Sequence, residues 1–145
     1  MKKITVLKIG GEVLQDAEKL SQTLVEFNQI TGPKILVHGG GREVNDLSLK
    51  MGVEPQIVDG RRITDSFQLE LAVMLYAGKI NTQLVAQLSA LGTTAIGISG
   101  ADMNIIECEK RPVTTIDYGF VGDVKKVNAD ALMQLLNQGI CPVVC

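Results

Sequence analysis

The 145-residue sequence predicts an α/β fold, in which a largely parallel sheet is covered by helices on both faces. Through most of the chain, short apolar runs alternate with segments whose apolar residues recur at helical spacing. The first two apolar runs, 4–9 and 34–37, each end in glycines and lead directly into a helical segment. Right-handed crossovers between such strands give a three-layer αβα sandwich with a mostly parallel sheet.

The individual elements have local signals. Asp16 can cap the first long helix, and Gly52 can end the next one. The Asp59-Gly60 pair is a strong signal for a hairpin turn. Gly78 is expected to interrupt the helical stripe that begins after Asp65, which predicts two separate helices. In chain order, we predict a strand over 4–9, a helix over 16–31, a strand over 34–37, a helix over 42–51, a hairpin over 56–63, helices over 66–77 and 79–91, a strand over 94–99, short strands within 105–121, a helix over 129–138 and a strand from residue 142.

The sequence ends inside an apolar segment, 140–145. A strand of this composition belongs in the buried part of a parallel sheet, yet nothing follows it to cover it. We therefore expect a truncated chain with an exposed apolar last strand. Such a strand would make the chain prone to associate or aggregate.

Bulk composition argues against several classes of protein. A formal net charge of −2 and the absence of tryptophan do not fit nucleic-acid binding. No apolar run approaches the roughly 20 residues of a membrane helix, and the N-terminus does not resemble a signal peptide. Three cysteines without paired spacing are interpreted as reduced thiols that fill the core. A cytoplasmic protein is expected.

Two glycine turns are the candidate sites for chemistry. A strand that stops at glycine and turns into a helix exposes backbone N–H groups that bind anions, most often phosphate. Lys8 directly precedes the Gly10-Gly11 turn, where it is either a group that neutralises a transferring phosphoryl or a solvated lysine. Three consecutive glycines, 39–41, favour the close approach of a ligand over a tight turn with positive φ. Neither turn matches a Walker P-loop or a dinucleotide fingerprint.

Other polar residues are weaker candidates. One of Arg61 and Arg62 could clamp a carboxylate from the hairpin, and at least one of the two is expected to be solvated. His38, the only histidine, is interpreted as a satisfied polar residue rather than a base or metal ligand. Residues 99–102 are interpreted as a plain turn. The apolar stripe that includes Tyr76 is interpreted as core, and any exposed part of it would serve as a subunit interface.

Taken together, five segments resemble the amino acid kinase family. They are 8–11 (KIGG), 37–41 (VHGGG), 60–65 (GRRITD), 78–81 (GKIN) and 119–123 (GFVGD). The Gly-x-Arg-Ile-Thr end of the hairpin, at this distance after HGGG, is similar to the branch that acts on N-acylated glutamate. The resemblance runs along the whole chain but covers only about the N-terminal half of the family's pattern.

This resemblance implies ATP-dependent phosphorylation of the γ-carboxylate of N-acetylglutamate or another N-acylglutamate, a step in arginine biosynthesis. By motif position, Lys8 would stabilise the transferring phosphoryl group together with the backbone N–H groups of Gly10 and Gly11. Gly40 and Gly41 would hold the substrate at its reacting carboxylate, and Arg62 would bind its α-carboxylate. Mg²⁺ would arrive with ATP, and no metal ligand is assigned to this chain.

In this interpretation, residues 1–145 form an N-terminal substrate-binding lobe, and the ATP-binding lobe lies outside the chain. We expect this lobe alone to lack kinase activity. The intact enzyme is expected to be a homodimer joined partly through a helix over 65–75, and insensitive to arginine because only seven residues precede Lys8. Two alternatives stay open: a stand-alone small-molecule sensor or assembly module that keeps the amino-acid site without kinase activity, and a related kinase for another acidic substrate. The acyl group, acetyl or succinyl, also stays open.

Overall fold

The computed structural model describes residues 3–145, which form eight strands and six α-helices. The strands are β1 (Thr5–Ile9), β2 (Lys34–His38), β3 (Ile57–Val58), β4 (Arg61–Arg62), β5 (Ala95–Ile98), β6 (Ile106–Lys110), β7 (Gly122–Val127) and β8 (Cys141–Val144). The helices are α1 (Gly11–Gln15), α2 (Ala17–Gln29), α3 (Gly41–Lys50), α4 (Ser66–Val73), α5 (Asn81–Ala90) and α6 (Ala129–Asn137), with a π-helical segment at Met74–Ile80 and a 3₁₀ turn at Asp102–Asn104.

The central sheet has four parallel strands in the order β1-β2-β8-β5, and helices cover both of its faces. Alternating side chains of a strand point to opposite faces. Leu36 of β2 therefore packs in a cluster with Leu24 and Phe27 of α2 and Leu84 and Leu88 of α5. Its neighbour Ile35 packs on the other face with α6. The predicted three-layer αβα arrangement is confirmed.

Several predicted boundaries are confirmed by the contacts that make them. The Asp16 carboxylate accepts a hydrogen bond from the backbone N–H of Lys19 (3.1 Å), which caps α2. Asp59 and Gly60 have φ values of 51° and 74°, the left-handed pair that a tight turn between β3 and β4 requires. The side chain of Asp65 accepts from the N–H of Gln68 (2.8 Å) and caps α4. Each of these contacts joins residues close together in the chain, so the sequence alone is enough to predict it.

The predicted helix break at Gly78 is wrong. The chain stays helical from α4 to α5 through the π-helical segment, because Leu75 and Ile80 are both buried and hold it against the core. A side chain at Gly78 would meet no atom within 4 Å, so this glycine lies on an open face. The helix absorbs it by widening one turn instead of ending.

Two further sequence predictions need correction. Residues 11–15 form a separate short helix, α1, ahead of the helix predicted over 16–31. The strands expected within 105–121 are a hairpin whose second strand, β7, begins only at Gly122. The intervening loop instead lies against the β3–β4 hairpin: the N–H of Thr64 donates to the carbonyl of Tyr118 (2.9 Å), and the N–H of Phe120 donates to the carbonyl of Thr64 (2.7 Å). These bonds form an isolated parallel β-bridge between Thr64 and Gly119.

The expected exposure of the last strand is also wrong. β8 pairs with β2 on one side and β5 on the other, and all four of its residues are buried. The connection through α6 returns the chain to the middle of the sheet, so the edge strands are β1 and β5. Cys141 belongs to this core, whereas Cys108 on β6 is exposed, contrary to the prediction that the cysteines fill the core.

Candidate functional site

The two glycine turns lie side by side at the carboxyl edge of the sheet. β1 and β2 pair in parallel, with Ile9 opposite His38, so the residues that follow each strand emerge next to each other. Neighbouring strands are about 4.8 Å apart. The geometry therefore brings together the two segments that the sequence marked independently as anion sites. A cavity of about 880 Å³ lies at the opposite edge, around the beginnings of β2, β5 and β8, away from these turns.

Lys8 lies over the first turn. Its Nζ is 3.9 Å from the point where a β-carbon on Gly10 would lie, and the residue is exposed. A β-carbon on Gly11 would lie 3.7 Å from Cδ of Arg42, so Arg42 spans from the second turn to the first. Arg42 also donates to the side-chain oxygen of Gln15 (3.3 Å). Two cationic side chains thus flank the first glycine turn.

The second turn opens α3, a ten-residue helix that begins at Gly41. Its first N–H groups have no acceptor within the helix. None of the three glycines needs a left-handed backbone; φ at Gly40 is 164°, which is extended. A β-carbon on Gly40 would lie 2.5 Å from Cδ1 of Ile80 and 2.9 Å from two ring carbons of Tyr76. Gly40 is therefore required by the packing of the π-helical segment, whereas a β-carbon on Gly39 would meet nothing within 4 Å.

Arg62 reaches from β4 to this second turn. Its Nη2 donates to the carbonyl oxygen of Gly41 (2.7 Å) and to Oδ1 of Asn45 (2.7 Å), and its Nε donates to the same Asn45 oxygen (3.0 Å). Within residues 3–145, Nη1 of Arg62 donates no hydrogen bond to another side chain or carbonyl. Arg61 is exposed, and Arg62 is the half-buried member of the pair. Asn45 therefore fixes the guanidinium beside the glycine turn and leaves one edge of it available.

His38 is a structural residue beneath the second turn. Its Nδ1 lies 2.9 Å from the carbonyl oxygen of Gly39, which can only accept, so Nδ1 carries the proton. Its Nε2 then accepts from Nδ2 of Asn81 (3.1 Å), which also donates to the carbonyl of Val143 (2.9 Å). Burial lowers the pKa of His38 and keeps the ring neutral. Both ring nitrogens are satisfied, which agrees with the sequence interpretation.

The turn after β5 closes on itself. Oδ2 of Asp102 accepts from both the backbone N–H (2.6 Å) and the hydroxyl (2.7 Å) of Ser99, and these bonds lower the pKa of Asp102. It is the plain turn that the sequence predicted. Among residues 3–145, no group of three or more His, Cys, Asp or Glu side chains is arranged to hold a metal ion. In the same residues, no helix is long and apolar enough to cross a membrane.

Sequence reasoning gave Asn45, Tyr76 and Asn81 no role in this region, although Asn81 ends the 78–81 segment of the family resemblance. Asn45 lies one turn after Gly41 on α3, and this spacing is the one signal that could have indicated it. Tyr76 and Asn81 reach the turns only because the π-helical segment packs against them. That contact depends on residues about 40 positions away in the chain, and no local pattern encodes it.

The sequence model of the amino acid kinase family matches residues 3–145. The chain belongs to the amino acid kinase family. Among its relatives within the family, acetylglutamate kinase of Parabacteroides distasonis is 50% identical over 143 residues, which are 99% of this chain and 56% of that protein. Acetylglutamate kinase of Methanopyrus kandleri is 44% identical and is matched over 96% of this chain and 55% of that protein. The chain spans about half the length of the curated relatives it matches.

Solved structures share the fold of this amino acid kinase family member. Smu.665 of Streptococcus mutans superposes with a TM-score of 0.77 at 21% identity, over 97% of this chain and 57% of the other. The N-acetylglutamate synthase of Neisseria gonorrhoeae, solved with coenzyme A and N-acetyl-glutamate, gives a TM-score of 0.78 at 21% identity, over 97% of this chain and 33% of the other. These similarities confirm the α/β fold class.

Proposed function

We propose that the protein containing this chain transfers a phosphoryl group from ATP to the γ-carboxylate of an N-acylated glutamate, with N-acetylglutamate the expected acceptor. The observation that carries the proposal is the position of Arg62, fixed by Asn45 at the second glycine turn and next to the first. A guanidinium held beside two adjacent anion-binding turns suits an acidic acceptor and a phosphoryl donor. The names of the relatives agree with this chemistry.

Lys8 and the first turn are proposed to act on the transferring phosphoryl group. Phosphoryl transfer depends on positioning and on neutralising charge at the phosphoryl oxygens. The Lys8 ammonium lies over Gly10, where it can follow that charge while the N–H groups of Gly10 and Gly11 hold the oxygens. Because α1 has only five residues, its dipole is small, and the flanking Lys8 and Arg42 side chains supply most of the positive charge.

The second turn and Arg62 are proposed to bind the acceptor. Gly40 and Gly41 present the N-terminus of α3 to the reacting carboxylate, while Arg62 pairs with the α-carboxylate through its available edge. Acylation of the amine removes a positive charge that would otherwise lie near Arg62 and Lys8. It also prevents the acyl phosphate from cyclising.

Residues 1–145 are proposed to be the substrate-binding lobe, with the nucleotide bound mainly by residues outside this chain. Mg²⁺ would be held largely by the ATP phosphates. A cytoplasmic homodimer is proposed for the whole protein. Its interface would include the end of α4 and the start of the π-helical segment, where Val73 and Met74 are 57% and 49% exposed. Sedimentation of the whole protein tests this: a dimer supports the proposal, and a monomer or hexamer contradicts it.

A coupled assay of ADP release tests the proposed activity. The complete protein is assayed with N-acetylglutamate, N-succinylglutamate, free glutamate and aspartate as acceptors. Turnover with an N-acylated glutamate, and at least about tenfold lower kcat/KM with the free amino acids, is the expected result. Preference for a free amino acid would contradict the proposal. Binding of N-acylglutamate without turnover in the presence of MgATP would instead identify a sensor.

A further inference from the structure

The aromatic ring of Tyr76 packs against the second glycine turn. Two ring carbons lie 2.9 Å from the point where a β-carbon on Gly40 would be, so the ring contacts the bare backbone of that residue directly. The ring is half-buried and packs between two apolar clusters, one under the sheet and one between α3 and α4. This packing leaves the ring little freedom to move, and it sets the position of the phenolic oxygen.

The hydroxyl of Tyr76 lies at the same corner as Arg62. It is 3.9 Å from the point where a β-carbon on Gly41 would lie, and Nη2 of Arg62 is 3.8 Å from that same point. Within residues 3–145, the hydroxyl makes no hydrogen bond to another residue. Its oxygen is also not fully buried. The oxygen is therefore reachable by a ligand. A phenylalanine ring would make the same apolar contacts, so the packing does not require the hydroxyl.

We infer that Tyr76 is a substrate-binding residue whose hydroxyl donates to the carboxylate that pairs with Arg62. The inference rests on the proposed function. The groups available at this corner are donors: the phenolic O–H and the open edge of the Arg62 guanidinium. A carboxylate has several lone pairs and no proton to donate, so it matches such a corner best. The π-helical segment thus contributes a specificity-determining contact.

The test compares Tyr76→Phe with Thr82→Val in the complete protein. Tyr76→Phe removes only the hydroxyl, while Thr82→Val removes a hydroxyl from an exposed position on the next helix, α5. Loss of one hydrogen bond to a charged group predicts a rise of about 10- to 100-fold in KM for the acidic acceptor. The KM for ATP and the thermal midpoint stay unchanged, and Thr82→Val changes none of the three. A purely structural role would not separate the two KM values.

A double variant tests whether the two side chains share one carboxylate. If they do, Tyr76→Phe adds less to the KM in an Arg62→Ala background than in the wild type. An unchanged acceptor KM in Tyr76→Phe, an equal rise for both substrates, or full additivity with Arg62→Ala would each overturn the inference. Should the wild type prefer another acidic acceptor, the proposed function fails, while a selective rise in that acceptor's KM would still support the role of Tyr76. Absence of any acidic acceptor would overturn both.

Discussion

Gly40→Ala is expected to destabilise the protein because its β-carbon has no room. That carbon would lie 2.5 Å from Cδ1 of Ile80 and 2.9 Å from two ring carbons of Tyr76, whereas carbon atoms prefer about 3.5–4.0 Å. Both neighbours lie in packed surroundings, since Ile80 is only 6% exposed and the Tyr76 ring packs against two apolar clusters. Relief of roughly 1 Å of overlap must shift the π-helical segment away from the turn. Overpacking of this kind costs about 1–3 kcal/mol.

Gly39→Ala is the matched control for this prediction. A β-carbon there meets nothing within 4 Å, and the residue is not in the left-handed region. Replacement of such a glycine stabilises by about 0.4–1 kcal/mol through the unfolded chain. Urea unfolding followed by far-ultraviolet circular dichroism, without substrate, compares the two. At about 2 kcal/mol per molar urea, Gly40→Ala unfolds about 0.5–1.5 M earlier than the wild type. Equal midpoints for the two variants would refute the packing explanation of Gly40.

Three further outcomes follow from the contacts around the site. Arg62→Ala raises the KM for the acylated amino acid by an amount worth about 2–5 kcal/mol and leaves the KM for ATP nearly unchanged. Steady-state kinetics in which both KM values rise equally would contradict the pairing with the α-carboxylate. Gly119→Ala lowers the free energy of unfolding by at least about 1 kcal/mol, because φ is +73° and its β-carbon would lie 2.2 Å from the carbonyl oxygen of Thr64; an unchanged urea midpoint would contradict this. Burial lowers the pKa of His38 below its unfolded-state value of about 6.5, so at acidic pH the unfolded chain binds a proton more readily than the folded one. The contribution of neutral His38 to the free energy of unfolding is therefore complete above about pH 6.5 and is lost as the pH falls below it. We expect the thermal midpoint of the wild type to fall more steeply between about pH 7.5 and 5.5 than that of His38→Gln. Parallel curves for the two proteins would contradict that linkage.

The predictions from sequence succeeded where the signal is local. Asp16 and the Asp59-Gly60 pair determine a helix start and a hairpin turn through contacts within three residues, so inspection of the sequence is enough to locate them. The prediction of a helix break at Gly78 was wrong because a glycine lowers helix propensity only locally, while burial of Leu75 and Ile80 keeps the helix intact. The last strand was wrongly expected to be exposed because its burial depends on pairing with β2 and β5, both far away in sequence.

The same division holds within the candidate site. Lys8, the glycine turns and Arg62 carry short motifs, and the structure brings these residues together at one edge of the sheet. Their roles stay predictions. The side chains that support them, Asn45 and Tyr76, have no motif of their own and were visible only once tertiary contacts placed them.

Lys8→Ala tests the central claim, that the adjacent glycine turns form a phosphoryl-transfer site. The measurement is kcat and both KM values of the complete protein with MgATP and N-acetylglutamate, with Lys8→Arg as a second variant that keeps the charge but changes its position. Because the ammonium is proposed to act mainly in the transition state, kcat falls by at least about 100-fold in both variants, while both KM values stay within a few-fold of the wild type. Near-normal kcat in Lys8→Ala would contradict the claim.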